Sequence, residues 1–171
     1  MRMSKKVVAV TALAVGSLLA GTASASAAGG SAEAAPSSLT WVGEAVPSDA
    51  APAGKVARYQ ADPEAGTITF LGFGEPEPEP EFTPFIVVNN PPRAGDCVLA
   101  PTSVPYASYG FRGAGTINGT WANRQRITAG VERCAGTYRA QSGGPAFNTP
   151  VLAPGATIVF TSPAVFSQVR I

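Results

Sequence analysis

Short apolar runs alternate with turn-forming residues along most of the chain. The runs are rich in Val, Ile, Thr, Phe and Tyr, and Gly, Pro, Asn and Asp separate them. This pattern predicts short β-strands joined by turns, because β-branched and aromatic side chains favour a pleated surface. We predict about eight short strands. Runs of this kind cover residues 39–42, 55–61, 67–71, 85–88, 97–99, 125–129, 132–139, 158–160 and 165–171, and neighbouring runs can belong to one strand.

Local sequence also predicts two tight turns. Between residues 55–61 and 67–71, Pro63 suits the second position of a type I turn and Gly66 suits the left-handed residue that follows. Asn118 and Gly119 form a dipeptide that favours a type I′ turn. We therefore predict one hairpin over 55–71 and a second, shorter hairpin over 116–121.

Residues 1–27 have the order of a secretory signal peptide. A short basic head is followed by an apolar run and then by small residues around Ala27. The apolar run is about fourteen residues long, whereas a membrane span needs roughly twenty. We therefore predict cleavage after Ala27, secretion to an extracellular location, and no membrane attachment of the mature protein.

The remaining chain divides by charge and composition. Residues 28–92 carry two basic and nine acidic side chains, whereas residues 93–171 carry seven arginines, no lysine and two acidic side chains. We predict an acidic N-terminal region over 28–74 that contains the first hairpin, a Glu-Pro linker over 75–82, and a β domain over 83–171. The linker is interpreted either as a solvated polyproline-type spacer or as an acidic strap over the basic domain.

The residue inventory excludes several chemistries. The chain has no histidine, which removes Ser-His-Asp and Cys-His catalysis and every His-based zinc site. Its two cysteines, Cys97 and Cys134, are too few for a four-cysteine metal site. In an exported protein they predict one disulfide, with two free thiols as the alternative. We expect no catalytic residue, no metal ion and no cofactor.

A stretch around the second cysteine resembles a known motif. Residues 127–136 resemble the opening of a βγ-crystallin-type Greek key, in which an aromatic residue is followed after four residues by an aromatic residue or Cys, one more residue, and Gly. Ala129 replaces the aromatic residue, and Cys134 and Gly136 occupy the other two places. Residues 152–155 and 165–171 look like the turn and the closing strand of that motif.

A second match with the same spacing contains Tyr106, Phe111 and Gly113. Such degenerate units occur in small exported actinobacterial proteins, some classed with protease inhibitors and some with antimicrobial proteins. The calcium site of the family needs two Asn or Asp residues where this chain has Pro163 and Ala164, so the resemblance implies that calcium binding is lost. The expected fold class is all-β, a small disulfide-closed Greek-key sandwich or barrel preceded by a flexible acidic N-terminal region.

Arginines supply the first set of candidate binding residues. Alternation along residues 124–129 places Arg124 and Arg126 on one strand face. Guanidinium groups suit bidentate contacts with carboxylate or phosphate, although the same arginines also fit a face that only keeps the protein soluble. No nucleic-acid-binding module is present, so we do not expect nucleic acid as a partner. The complete set is Arg112, Arg124, Arg126, Arg133 and Arg139.

Aromatic side chains supply the second set. Tyr106, Tyr109 and Phe111 lie within six residues and fit either stacking on sugars or filling of a small β core. Residues 141–150 form a long Gly- and Pro-containing loop in which Phe147 fits either contact with a protease pocket or a plain surface connection.

The leading functional hypothesis is a secreted, non-catalytic, monomeric binding protein. Its expected partner is an extracellular protein or a cell-wall polysaccharide. A protease inhibitor that uses the 141–150 loop is the first alternative. The second is a carboxylate-dependent hydrolase that uses Asp96 and Glu132, the only two acidic residues of the C-terminal part.

Overall fold

The computed structural model of the protein describes residues 35–76 and 87–171. These residues form eleven β-strands in one mixed sheet, one 3-10 turn at Ser48–Ala50 and no α-helix, which confirms the all-β prediction. None of their elements is a helix long and apolar enough to cross a membrane. The predicted signal peptide and residues 77–86, which include most of the Glu-Pro linker, lie outside the described residues. The strands are β1 Ser37–Ser38, β2 Thr40–Val42, β3 Val56–Asp62, β4 Thr67–Gly74, β5 Val87–Asn89, β6 Cys97–Pro101, β7 Tyr109–Arg112, β8 Thr116–Thr128, β9 Ala135–Ala140, β10 Phe147–Asn148 and β11 Thr157–Arg170.

The last strand, β11, organises the sheet. It pairs antiparallel with β8 along one side. On its other side it pairs first with β3, in parallel, and then with β9, antiparallel. Ile158, Phe160, Phe166 and Val169 of this strand are fully buried in one continuous core. The sheet therefore folds over into a sandwich-like structure whose inner faces share that core.

The sequence predicts two separate strands where β11 is one. Pro163 cannot donate a ladder hydrogen bond, so it favours an interruption between residues 160 and 165. The structure accommodates Pro163 in a bulge of β11. Val159 pairs with Arg126 and Ala164 with Arg124, so five steps along β11 correspond to two steps along β8. The prediction of two strands was wrong because a bulge can hold a proline inside a continuous strand.

The predicted hairpin over 55–71 is confirmed. β3 and β4 pair antiparallel, and the side chain of Asp62 accepts hydrogen bonds from the backbone N–H groups of Glu64 at 2.9 Å and Ala65 at 3.0 Å. Gly66 has a φ of 64°, the left-handed conformation that the turn requires. The hairpin is not an appendage of a separate β domain, because β3 adds in parallel to β11 and residues 35–76 share one compact unit with residues 87–171.

The predicted hairpin at Asn118 and Gly119 was wrong. β8 runs straight through both residues from Thr116 to Thr128. Asn118 lies opposite Gln168 of β11, which donates a hydrogen bond of 2.9 Å to the Asn118 side chain. A methyl group at Gly119 would lie 2.6 Å from the ring of Trp121, so glycine is needed here for close packing rather than for a turn.

Two further predictions concern the disulfide and the strand over 85–88. The predicted disulfide between Cys97 and Cys134 is present, and both cysteines are buried in the core. A buried strand was also predicted over 85–88. The strand found there, β5, covers residues 87–89, and Val88 is exposed. β5 lies at the edge of the sheet and pairs with β7 on one side.

A tyrosine holds the N-terminal segment onto this sheet. The Tyr59 hydroxyl donates a hydrogen bond of 2.9 Å to the backbone oxygen of Val46, and its ring is buried. Burial raises the pKa of Tyr59 to about 12; the charge of Asp49 adds to the effect and a hydrogen bond with Ser48 opposes it. Burial raises the pKa of Tyr138 as well, with a contribution from Asp62.

Removing the disulfide is expected to destabilise the fold. The Cys97→Ala, Cys134→Ala double variant should lose about 4 kcal/mol of unfolding free energy, because the bridge restricts a long loop of the unfolded chain. Urea denaturation followed by circular dichroism measures the loss. Reduction of the unmodified protein should give a similar decrease, and an unchanged midpoint in both experiments would contradict the prediction.

Alkaline pH is expected to destabilise the protein, with Tyr59 contributing to the loss. An ordinary tyrosine loses its proton near pH 10.0, whereas Tyr59 in the folded protein does so near pH 12. The stability that the neutral Tyr59 hydroxyl contributes is fully present below pH 10.0, the pKa of tyrosine in the unfolded chain. It is lost as the pH rises through about 12, the pKa in the folded protein, because only the unfolded chain loses this proton between the two values. Urea titrations across this range should show stability falling less steeply in Tyr59→Phe. Equal slopes in the two proteins would contradict the assignment.

Candidate functional site

The structure places Arg112 inside the protein rather than on its surface. Its Nε atom lies 3.1 Å from Oδ1 of Asp96, and the two side chains are 6% and 0% exposed. Arg112 also donates to the backbone oxygen of Ala94. Asp96 accepts further hydrogen bonds from Asn89 Nδ2 at 2.9 Å and from the backbone N–H of Arg93 at 2.7 Å. Arg112 is therefore not a binding residue, because its charge already neutralises a buried carboxylate.

Arg124 is also buried, which corrects its prediction as a binding residue. Its Nε atom donates a hydrogen bond of 2.6 Å to the backbone oxygen of Ala122, and Nη1 donates to that of Ala107. The guanidinium lies 5.3 Å from the centre of the Tyr109 ring. Burial lowers the pKa of Arg124, and Tyr109 opposes that effect. The side chain thus fastens the loop before β7 to β8.

Arg124 and Arg126 do not share a face, contrary to the sequence prediction. They lie opposite Pro101 and Ala100, which are adjacent in β6, so β8 contains one extra residue at this point. Asn123 next to this bulge has a φ of 58°. A bulge changes the strict two-residue alternation of a strand. As a result, Arg124 points inward and Arg126 is exposed.

The two acidic residues of the C-terminal part are not arranged as a catalytic pair. The Asp96 carboxylate is enclosed and ion-paired with Arg112, whereas Glu132 is exposed at the surface. In the part of the chain that the structure describes, no group of three or more Cys, Asp or Glu side chains could hold a metal ion.

The candidate aromatic residues take different positions. Tyr106 is exposed, Tyr109 lies beside Arg124, and Phe111 is buried against Trp121 with ring centres 5.0 Å apart. Phe147 belongs to β10 and packs on Tyr138 and against Gly66. The ring of Phe147 is therefore held by the protein's own strands, not offered at a loop tip to a protease pocket.

The exposed Arg126 lies on an open face of the sheet, here called the outer face and formed by β4, β3, β11 and β8. One row across this face joins Gln60, Val159 and Arg126, and the next row joins Arg58, Thr157 and Thr128. A bulge at Leu71 of β4 turns that side chain toward the same face. The outer face contains a groove of about 230 Å³. Its lining includes Val56, Arg58, Leu71, Glu75, Arg126 and Val159.

The groove combines positive charge with apolar surface. Leu71 is 58% exposed and Val159 is 37% exposed. Arg58 contributes a second guanidinium, whose Nη2 lies 3.4 Å from the backbone oxygen of Glu75, and the Glu75 carboxylate pairs with Lys55. Within residues 35–76 and 87–171, the Arg126 guanidinium makes no hydrogen bond or ion pair. The groove can therefore receive a carboxylate beside an apolar group.

Sequence reasoning missed Arg58, Leu71 and Val159. Alternation along residues 55–61 does place Arg58 and Gln60 on one polar strand face, and this signal could have identified Arg58. The parallel pairing of β3 with β11, which brings Arg58 close to Arg126, has no local signature. Of the other predicted arginines, Arg139 is exposed on β9 outside this groove, and Arg133 pairs with Asp49.

The arginines should separate into two classes by stability. Arg112→Met is expected to cost about 3–5 kcal/mol, because it leaves the Asp96 carboxylate buried and uncompensated. Arg126→Met and Arg139→Met should change the unfolding free energy by less than about 0.5 kcal/mol, because both side chains are exposed. Urea denaturation of the three variants measures these values. Equal stability of all three variants would contradict the placement of Arg112.

Comparison with known proteins identifies no relative of this chain. No protein-family model, no curated protein sequence and no solved structure matches it. The resemblance to a βγ-crystallin-type unit therefore stays a prediction.

Proposed function

We propose that the protein is a secreted, non-catalytic binding protein whose outer face contacts an acidic surface of an extracellular protein. The observation that supports this function is the grouping of Arg58 and Arg126 around the exposed side chains of Leu71 and Val159. The disulfide between Cys97 and Cys134 is consistent with an oxidising, extracellular environment.

The chemistry of the outer face favours a protein as the partner. Exposed apolar side chains that are grouped together mark interaction surfaces on soluble proteins. Arginine is enriched at protein interfaces because its long stem packs on apolar groups while its planar head binds carboxylates. Leu71 and Val159 provide the apolar contact, and the two guanidiniums stand on strands that flank β11.

Charge gives this surface its selectivity. Neighbouring strands lie about 4.8 Å apart, so β3 and β8 are separated by about 10 Å across β11. Two carboxylates at a similar spacing on a partner would each meet one guanidinium. Such contacts increase the rate of association and weaken as salt is added, because exposed charges are screened over about 10 Å in 0.1 M salt.

The distribution of carboxylates supports a binding function over hydrolysis. Acid–base hydrolysis needs two carboxylates that reach the same substrate. Asp96 is enclosed with Arg112, and Glu75 in the groove pairs with Lys55. The arrangement therefore favours recognition of acidic groups.

The proposed function is tested with the secreted proteins of the source organism. The mature protein is immobilised, exposed to culture medium and washed, and bound material is eluted with increasing salt. We expect acidic proteins to be retained. The Arg58→Glu, Arg126→Glu variant should retain at least about tenfold less, because each introduced carboxylate repels the partner.

A variant with the same change in net charge provides the control. Arg93→Glu, Arg139→Glu reverses two exposed arginines that do not line the groove, so it should retain the same proteins as the unmodified chain. Equal losses in both variants would show a non-specific charge effect. Retained material that proves to be acidic polysaccharide, and that Arg58→Glu, Arg126→Glu no longer retains, would contradict a protein partner at the outer face.

A further inference from the structure

A second cleft, of about 290 Å³, lies between the N-terminal strands and the loop that leads toward β11. Trp41 of β2 and Tyr59 of β3 form one wall. Arg133, Pro150 and Val151 form the opposite wall, and residues 45–49 complete the lining. The cleft does not share Arg58, Arg126 or Leu71 with the groove of the outer face.

The walls of this cleft are held in place by Ser48. Its hydroxyl donates a hydrogen bond of 3.0 Å to the backbone oxygen of Val151 and accepts one of 2.8 Å from the backbone N–H of Ala153. Ser48 is itself buried, and Tyr59 fixes the segment a second time through the oxygen of Val46. The cleft is thus formed before any ligand enters, which lowers the entropic cost of binding.

Asp49 and Arg133 form a planar polar group at this cleft. Nη1 of Arg133 lies 2.9 Å from Oδ2 of Asp49, and Nη2 lies 2.9 Å from Oδ1. This bidentate contact leaves acceptor positions on both carboxylate oxygens and donor positions on the guanidinium. The two side chains are 53% and 58% exposed, so those positions are accessible from solvent.

The two charges of this pair cancel, and this restricts the ligand. An anion would be attracted by Arg133 but repelled by Asp49, and the reverse holds for a cation. The group instead suits a neutral ligand with neighbouring hydroxyls, because each hydroxyl can both donate to the carboxylate and accept from the guanidinium. The outer face differs in this respect, since Arg126 there makes no ion pair with any described residue.

Trp41 provides an apolar surface beside this polar group. Its ring is half-buried and makes an edge contact with Tyr59, with ring centres 5.8 Å apart. Pro150 and the exposed Val151 extend the apolar surface on the other wall. A pyranose ring has an apolar face of C–H groups and a rim of hydroxyls, and it matches an aromatic ring next to donors and acceptors.

We infer that this cleft binds a neutral polysaccharide chain, with Trp41 contacting the apolar face of one sugar ring and the Asp49–Arg133 pair binding its hydroxyls. The ligand class follows from three features together: a preformed cleft, an aromatic wall, and a polar group without net charge. Binding here does not depend on the proposed contact of the outer face with a protein, because the two linings share only Tyr59 and the charged and exposed apolar side chains that are assigned to binding differ.

The experiment uses soluble neutral oligosaccharides as probes, namely the hexamers of N-acetylglucosamine, glucose and xylose, with isothermal titration calorimetry of the mature protein. At least one of the three is expected to bind. Its affinity should be nearly the same in low and high salt, because no net charge is neutralised. A negatively charged oligogalacturonate serves as a comparison and should bind more weakly than the best neutral hexamer.

Three variants test the assigned residues. Trp41→Ala should weaken binding at least about tenfold, because truncating a central tryptophan removes the main apolar contact. Asp49→Asn and Arg133→Met should each weaken binding by a similar factor. Both are expected to fold normally, since an exposed ion pair contributes little stability. Arg58→Glu, Arg126→Glu serves as the matched control and should bind the sugar like the unmodified protein.

Tryptophan fluorescence gives a second readout. The protein has two tryptophans, and Trp121 is buried against Phe111. A fluorescence change on addition of sugar should therefore persist in Trp121→Phe and disappear in Trp41→Phe.

Failure to bind any of the three hexamers would overturn the inference, as would binding that Trp41→Ala leaves unchanged. Preferential binding of oligogalacturonate, lost with rising salt, would overturn the assignment of a neutral ligand. Each of these results leaves the proposed function of the outer face standing, because that function is tested with a protein partner and different variants.

Discussion

The architecture depends on the backbone hydrogen bonds of β11. Its fourteen residues carry N–H and C=O groups on both edges, and almost all buried backbone groups in proteins must be paired. β8 satisfies one edge, but β9 covers only the second half of the other. The first half is completed by β3, which pairs in parallel over Thr157 to Phe160. This pairing makes the N-terminal hairpin a part of the core and not a separate region.

A disulfide and a buried ion pair lie next to each other at the start of β6. Cys97 is bonded to Cys134, and its neighbour Asp96 is paired with Arg112 on β7. Removing either charge alone would leave the other buried without its counter-charge, which is far more costly than replacing both side chains by apolar ones of similar volume. Asp96 also accepts hydrogen bonds from the side chain of Asn89, the last residue of β5, and from the backbone of Arg93 in the loop that follows. The carboxylate therefore fixes this loop as well as β5 and β7.

Both proposed binding surfaces rely on residues from the N-terminal part of the chain. The outer face needs Arg58 and Leu71, and the cleft needs Trp41 and Asp49. In each case the C-terminal part adds one arginine, Arg126 or Arg133. The two surfaces differ in electrostatics: the first leaves a guanidinium without a partner among the described residues, and the second pairs it with a carboxylate. Because of this difference, we propose an acidic partner for one surface and a neutral ligand for the other.

The sequence alone determined the fold class, the disulfide and the hairpin over 55–71. These follow from local properties: β-branched runs between turn residues, two cysteines without histidine, and a turn indicated by Pro63 and Gly66. Only the tertiary structure decided that Asn118 and Gly119 lie within a strand, since pairing with β11 outweighs their turn preference. It also decided that Arg124 is buried while Arg126 is exposed, because a bulge near Asn123 interrupts the alternation that predicted one face for both. Local patterns define elements, whereas long-range pairing and bulges determine which side chains meet.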